Sequence, residues 1–158
     1  MLTAAAVSPL LATDVCRGVG RLFVRAGLTP LFEVPLGNGR RADVLALDAA
    51  GRLTLVEIKV SMADLRGDLK WPEYLDFCDR FFWAVPEGFP LSPFDEAWFA
   101  PARCGVLVAD RYDAIELRPA PWVPLNAARR KAETLRFARR AAARVHSLLD
   151  PEGVRSDV

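Results

Sequence analysis

Hydrophobic and polar positions change period along this chain, and each change marks an element. Over residues 10–26, LLATDVCRGVGRLFVRA, apolar side chains recur at Leu11, Val15, Val19, Leu22 and Ala26, the three-to-four spacing of an amphipathic helix. Thr13 or Asp14 caps it if the helix begins late, and Gly27 suits its end. LFEVPL (31–36) then reads as a strand, and GNG (37–39) as hairpin-turn chemistry. A second strand is predicted over 42–47, a turn over 48–51 and a third strand over 53–60. Strands joined by such short turns form an antiparallel meander, because parallel neighbours need a long crossover.

After Ser61 the period becomes helical in SMADLRGDLK, with Ser61 as cap and Asp64 three positions on. Pro72 suits the first position of a second short helix, PEYLDFC. RFFWAV (80–85) reads as a strand and, having crossed over through a helix, as one parallel to its neighbour. A proline-rich irregular stretch follows. Residues 105–109 and 114–117 flank an Asp-Arg-Tyr-Asp turn and predict a second hairpin. A long final helix runs over 126–149 with Asn126 as its cap, and the tail from Pro151 is expected to fray. The order α-β-β-β-α-β, followed by strands and a helix, predicts an α/β fold built on a mixed sheet flanked by helices. No repeat or low-complexity tract divides the chain, so 1–158 reads as one domain with its core over about 10–150.

Composition narrows the picture only a little. The 158 residues are 52% hydrophobic and 26% charged with a net charge of +1, so any basic surface for nucleic acid has to be local. Cys16, Cys78 and Cys104 are an odd number without metal-site spacing, which suggests neither a disulfide framework nor a zinc site. Plain thiols suit a reducing cytosol. No apolar run approaches the roughly 20 residues that span a bilayer, and the opening residues lack a basic leader. A soluble, cytoplasmic protein is the expectation.

The chemistry lies in RADVLALDAAGRLTLVEIKV, residues 41–60, where Asp43, Glu57 and Lys59 interrupt segments that otherwise read as buried strand. Charged side chains are seldom buried unless paired or bound to metal. Alternation puts Glu57 and Lys59 on one face with Leu53 and Leu55. Asp43 begins the antiparallel neighbour, so it should lie beside them at one edge of the sheet. Two carboxylates and an ammonium in one place suit metal-assisted hydrolysis of a phosphodiester. Carboxylates hold a hard cation such as Mg²⁺ or Mn²⁺, the cation activates water and neutralises phosphate charge, and the lysine stabilises the developing charge. The chain's one histidine, His146, lies far away in the last helix and, with Cys78, reads as structural.

An aspartate, then E-x-K on a hairpin, with a helix and strand before and a helix after, resembles the PD-(D/E)XK nuclease superfamily, and thus a restriction-endonuclease-like fold. The wording GRRADVLAL and VEIKVSMADLRGDLKWPEYLDFCDRFFWAVP is more closely similar to the MmcB family of bacterial DNA repair proteins, over residues of about 10–150. The resemblance implies that Asp43 and Glu57 bind metal, that the backbone carbonyl of Ile58 is a further ligand, and that Lys59 is the catalytic lysine. Ala42 stands where the nominal motif has proline. RecB-like members carry a glutamine and a tyrosine four apart on the following helix. Lys70 and Tyr74 hold that place here, with the lysine suited to a DNA phosphate. Relatives that cut two strands imply a homodimer, and a repair role implies DNA and other repair proteins as partners.

Other residues keep two readings. Glu33 is a further acidic ligand or a surface residue. Asp14 reaches the site, as helix acids do in resolvase-like members, or serves as a cap. Asp64 and Asp68 line the site or form a plain helix surface. Arg40 and Arg41 follow a tight turn, where guanidinium forks suit phosphate. Trp71 stacks on a base or joins Phe77, Phe81, Phe82 and Trp83 in the core. Arg129, Arg130, Lys131, Arg136, Arg139, Arg140 and Arg144 make the last helix basic, as a phosphate-binding surface or a solvated face. Two functions stand: a Mg²⁺-dependent nuclease in DNA repair, and a nuclease-fold DNA-binding or adaptor protein with little or no cleavage.

Overall fold

The computed structural model describes residues 8–153. Helix α1 (Ala12–Arg25) leads into strands β1 (Thr29–Pro35), β2 (Arg41–Leu47) and β3 (Leu53–Ile58). A short helix α2 (Met62–Gly67) and a 3₁₀ segment (Trp71–Phe77) cross to β4 (Arg80–Pro86). Two further 3₁₀ turns precede the hairpin β5 (Cys104–Ala109) and β6 (Ala114–Arg118), and α3 (Ala127–Leu149) ends the fold. The six strands form one mixed sheet in sequence order. The β1, β2 and β3 neighbours are antiparallel, β3 to β4 and β4 to β5 are parallel, and β6 returns antiparallel.

Helices cover both faces. Beneath α1 lie Val44, Ala46, Val56, Phe82, Ala84 and Leu107, packed on Val15, Val19 and Phe23. On the other face Leu53, Leu55, Phe81, Trp83 and Val106 meet Leu65, Trp71, Phe94, Phe99 and Phe137. Every residue of β3 is buried, which explains its nearly unbroken apolar run and makes Glu57 within it so informative. The α1 helix sits close against the β5–β6 turn because Gly18 carries no side chain. A Cβ there would lie 2.1 Å from the Asp110 carbonyl oxygen.

Local chemistry moves several boundaries from their predicted places. The N-cap of α1 is Leu11, and Asp14 caps from inside the first turn, its Oδ2 accepting the Leu11 N–H at 2.9 Å. Ser61 and Asn126 cap α2 and α3 as their side chains predict. Strand β3 stops at Ile58 rather than residue 60, since the chain turns at once into the Ser61 cap. PEYLDFC lies in a 3₁₀ segment rather than a second α-helix. Pro151–Gly153 forms a 3₁₀ turn where fraying is predicted, and residues 154–158 lie outside the described residues.

A clasp with no counterpart in the sequence reading ties α3 to the sheet. Asp79 is 1% exposed. Its carboxylate accepts the Leu53 N–H at 2.7 Å and the Leu125 N–H at 2.9 Å, and pairs with both terminal nitrogens of Arg130. Burial alone would raise the carboxyl pKa, but Arg130 and the two N–H donors hold it below the usual range.

Candidate active site

The β2–β3 ladder runs in register from Leu47↔Leu53 to Val44↔Val56 and then opens. Side chains replace the next backbone bonds. The Asp43 N–H donates to Glu57 Oε1 at 3.3 Å, and the Ile58 N–H donates to Asp43 Oδ2 at 2.8 Å. Each carboxylate is thus held by a main-chain donor of the opposite strand. This crossing occurs between two interior strands, at the mouth where β2 begins and β3 ends.

Burial sets the electrostatics. Glu57 is 4% exposed, and burial first, then the neighbouring Asp43 carboxylate, pushes its carboxyl up to about 9. Burial likewise raises Asp43 above its ordinary value, despite the Ile58 N–H, Lys59 and Arg41. Lys59 is 5% exposed. Burial pulls its ammonium down, but Asp68, Asp64 and Glu57 together raise it. Its Nζ donates to Asp68 Oδ2 at 2.8 Å and stands 3.7 Å from Asp64 Oδ1. Four acids therefore stand near one buried lysine, which is hydrogen-bonded to Asp68 at the C-terminal end of α2. Asp68 is partly buried against Lys59, whereas Asp64 is an exposed side chain at its margin.

Buried Glu57 and partly buried Asp43, both raised above their ordinary values, gain from a partner carrying more than one positive charge. Among the described residues no group of three or more His, Cys, Asp or Glu side chains forms a ready metal cage. The oxygen donors that meet at the mouth are the Asp43–Glu57 pair. That pair fits Mg²⁺, which is commonly held by one or two carboxylates and fills its shell with water and substrate oxygens. Ile58 enters the geometry through its N–H.

The remaining candidates separate. Glu33 is exposed, has φ +50° and stands 3.6 Å from Arg41. It lies outside the β1–β2 ladder, which passes from Phe32↔Val44 to Val34↔Ala42. Arg144 donates to its carbonyl oxygen at 2.9 Å. Asp14 caps α1 and faces Arg111 at 3.7 Å. Arg40 pairs with Glu73 at 2.6 Å and lies over the Tyr74 ring, whereas Arg41 stays exposed beside the mouth. Tyr74 is buried and donates its hydroxyl to the Arg41 carbonyl at 3.2 Å; Lys70 is exposed. The shared helical face predicted for Lys70 and Tyr74 fails, because a 3₁₀ segment repeats every three residues rather than near every four. Trp71 is core, edge-on to Trp83. The basic stripe of α3 is partly structural. Arg130 holds Asp79, Arg129 covers the Phe77 ring, and Arg136 faces the buried Glu133 at 3.5 Å. Cys78 is buried, while His146 is exposed on α3.

Comparison with known proteins adds an independent line. The family model described as DNA repair protein MmcB-like matches residues 5–152. A solved structure of a protein of unknown function from Silicibacter pomeroyi is 39% identical, with a TM-score of 0.83 over 98% of this chain and 100% of that one. No curated protein matches the chain. No helix among the described residues is long and apolar enough to cross a membrane. The family match spans both covering layers of helices and every strand of the sheet, and by it the chain belongs to the MmcB-like family of DNA repair proteins.

Proposed function

We propose that this protein acts in DNA repair as a Mg²⁺- or Mn²⁺-dependent deoxyribonuclease of the PD-(D/E)XK type. The observation that carries the reading is the crossed pair at the strand mouth, Asp43 accepting the Ile58 N–H and Glu57 accepting the Asp43 N–H, with the Lys59 ammonium buried just past the end of β3. A mixed sheet flanked by helices and membership of a repair family support it.

The residues divide the work. Asp43 and Glu57 hold the divalent cation, joined by the Ile58 carbonyl if the superfamily pattern applies. When bound, that cation lowers the pKa of a water and neutralises charge on phosphate oxygens. Lys59 orients the attacking water or stabilises the charge that develops on the phosphate. Arg41, exposed at the mouth, offers a planar fork to the backbone of the substrate.

Purified protein with Mg²⁺ or Mn²⁺, set against labelled duplex, flap, junction and single-stranded DNA beside Glu57→Ala, tests the reading. Cleavage by wild type and its loss in the variant is the expected result. Equal cleavage by both would place the activity elsewhere.

A second reading rests on one specific observation. Lys59 gives its close hydrogen bond to Asp68 rather than to either crossed acid, an arrangement that also suits a fold stabilised for binding. On that reading the protein is a DNA-binding or adaptor component of repair, and wild type cleaves none of the substrates while still binding DNA.

A further inference from the structure

A groove of about 820 Å³ runs between α1 and β1 and reaches Asp43 and Ile58 at one end. One wall carries Arg17, Arg21 and Arg25, spaced four apart and therefore on one helical face. They rise about 6 Å per step. The opposite wall and floor carry Pro30, Ile58 and Phe32, half-buried against the α1 side of the core, beside Glu33 and Asp43, and the exposed Tyr112 also lines the groove. Gly20 is buried and lets α1 close onto the Phe32 ring at the base of the groove, since a Cβ there would come within 2.7 Å of the ring.

We propose that this groove seats a single-stranded DNA segment and leads it to the Asp43–Glu57 mouth, a proposal that rests on the DNA-cutting reading above. The charge pattern matches a phosphate backbone on one side and exposed bases on the other. Duplex DNA presents phosphates and groove edges but keeps its base faces stacked inside. An apolar wall opposite a row of arginines suits a strand whose base faces are free to pack on aromatic side chains. Arg17 is exposed, while Arg21 donates to the Tyr112 carbonyl at 3.3 Å and Arg25 pairs with Asp113 at 2.6 Å. Those two contacts tie this helical face to the β5–β6 turn. Glu33, the carboxylate on the β1 wall, has Arg41 3.6 Å away to offset it. Cys16 lies in the floor with its thiol pushed up to about 12 by burial and by Asp43 and Glu33, so it serves as a small apolar surface and not as a nucleophile.

Fluorescence anisotropy without divalent cation separates this proposal from the cleavage reading, because binding is then measured without turnover. The probes are a blunt duplex and the same duplex with a single-stranded tail. Wild type should bind the tailed probe more tightly, and Arg17→Glu should weaken tailed binding about tenfold while leaving blunt binding unchanged. Arg17→Ala, which removes the charge without reversing it, should flatten the salt slope on the tailed probe by about 0.7. Melting temperature checks that both variants fold. Equal affinity for the two probes in wild type, or an equal loss on both in Arg17→Glu, overturns the proposal and leaves the groove to a peptide or small ligand. A tail preference that depends on Arg17 in a protein that cleaves nothing would uphold the groove and reject the nuclease. Cleavage of blunt duplex without a tail preference would do the reverse.

Discussion

Glu57 is an acid placed where its charge is expensive. With its carboxyl at about 9 against an ordinary 4.5, the folded protein holds a proton that the unfolded chain releases over that window. Raising the pH from 4.5 to 9 without divalent cation therefore favours unfolding, by an amount on the order of 3 kcal/mol at neutrality. Glu57→Gln cannot ionise, so at pH 8 it should melt above metal-free wild type and show a flatter pH dependence. Identical pH slopes for the two proteins would refute the assignment. Mg²⁺ should restore wild type by mass action, about 2.7 kcal/mol at a hundredfold excess over Kd, and Asp43→Asn should lose most of that gain. Equal metal stabilisation in both would move the site. Lys59→Ala divides enzyme from binder. A lysine acting in the transition state leaves DNA affinity nearly unchanged and costs about 10²- to 10³-fold in single-turnover rate.

At the scale of elements, β1 departs from regular geometry beside the site. Glu33 adopts φ +50° opposite the start of β2, with its carbonyl clasped by Arg144. Left-handed backbone costs a residue with a Cβ about 1–2 kcal/mol, and a β-branched one fares worse. Glu33→Gly should therefore be close to neutral by urea denaturation, while Glu33→Val should cost about 2 kcal/mol more. Equal costs would show that the backbone relaxes to an extended form. The α2 helix shows a different economy. Six residues are too few to be stable alone, so Ser61 caps it, Leu65 anchors it in the core, and its acids are held on Lys59.

At the scale of the whole molecule, α3 is joined to the sheet by the Asp79 clasp, and the aromatic layer fills the α2 side of the sheet. Arg130→Ala leaves Asp79 buried without its cation, and breaking such a pair costs about 3 kcal/mol. Urea denaturation should read that loss, and amide exchange should show α3 opening first. A change of less than about half a kcal/mol would mark the pair as superficial. Much of this architecture is legible in the sequence for a simple reason. Strand, hairpin and helix signals in 31–60, 80–85 and 126–149 are local, and caps such as Ser61 and Asn126 act within one turn. The 3₁₀ form of Trp71–Phe77 and the clasp at Asp79 were not legible, because both depend on packing against distant segments.

By itself the sequence singled out the charged residues that meet at the mouth, since three charges in an apolar meander can be tolerated only when they find partners. It also determined the α/β order of elements and the family, through wording spread over nearly the whole chain. Tertiary structure alone decided how those charges meet. The ladder opens so that Asp43 and Glu57 bind each other's strands, and α2 swings two aspartates onto Lys59. It also decided which arginines stay free, taking Arg130 into the clasp and Arg40 onto Glu73 while leaving Arg17 on the groove wall. Spacing along a chain fixes the face on which a side chain stands, but its partner is set by elements that the fold brings across from dozens of residues away.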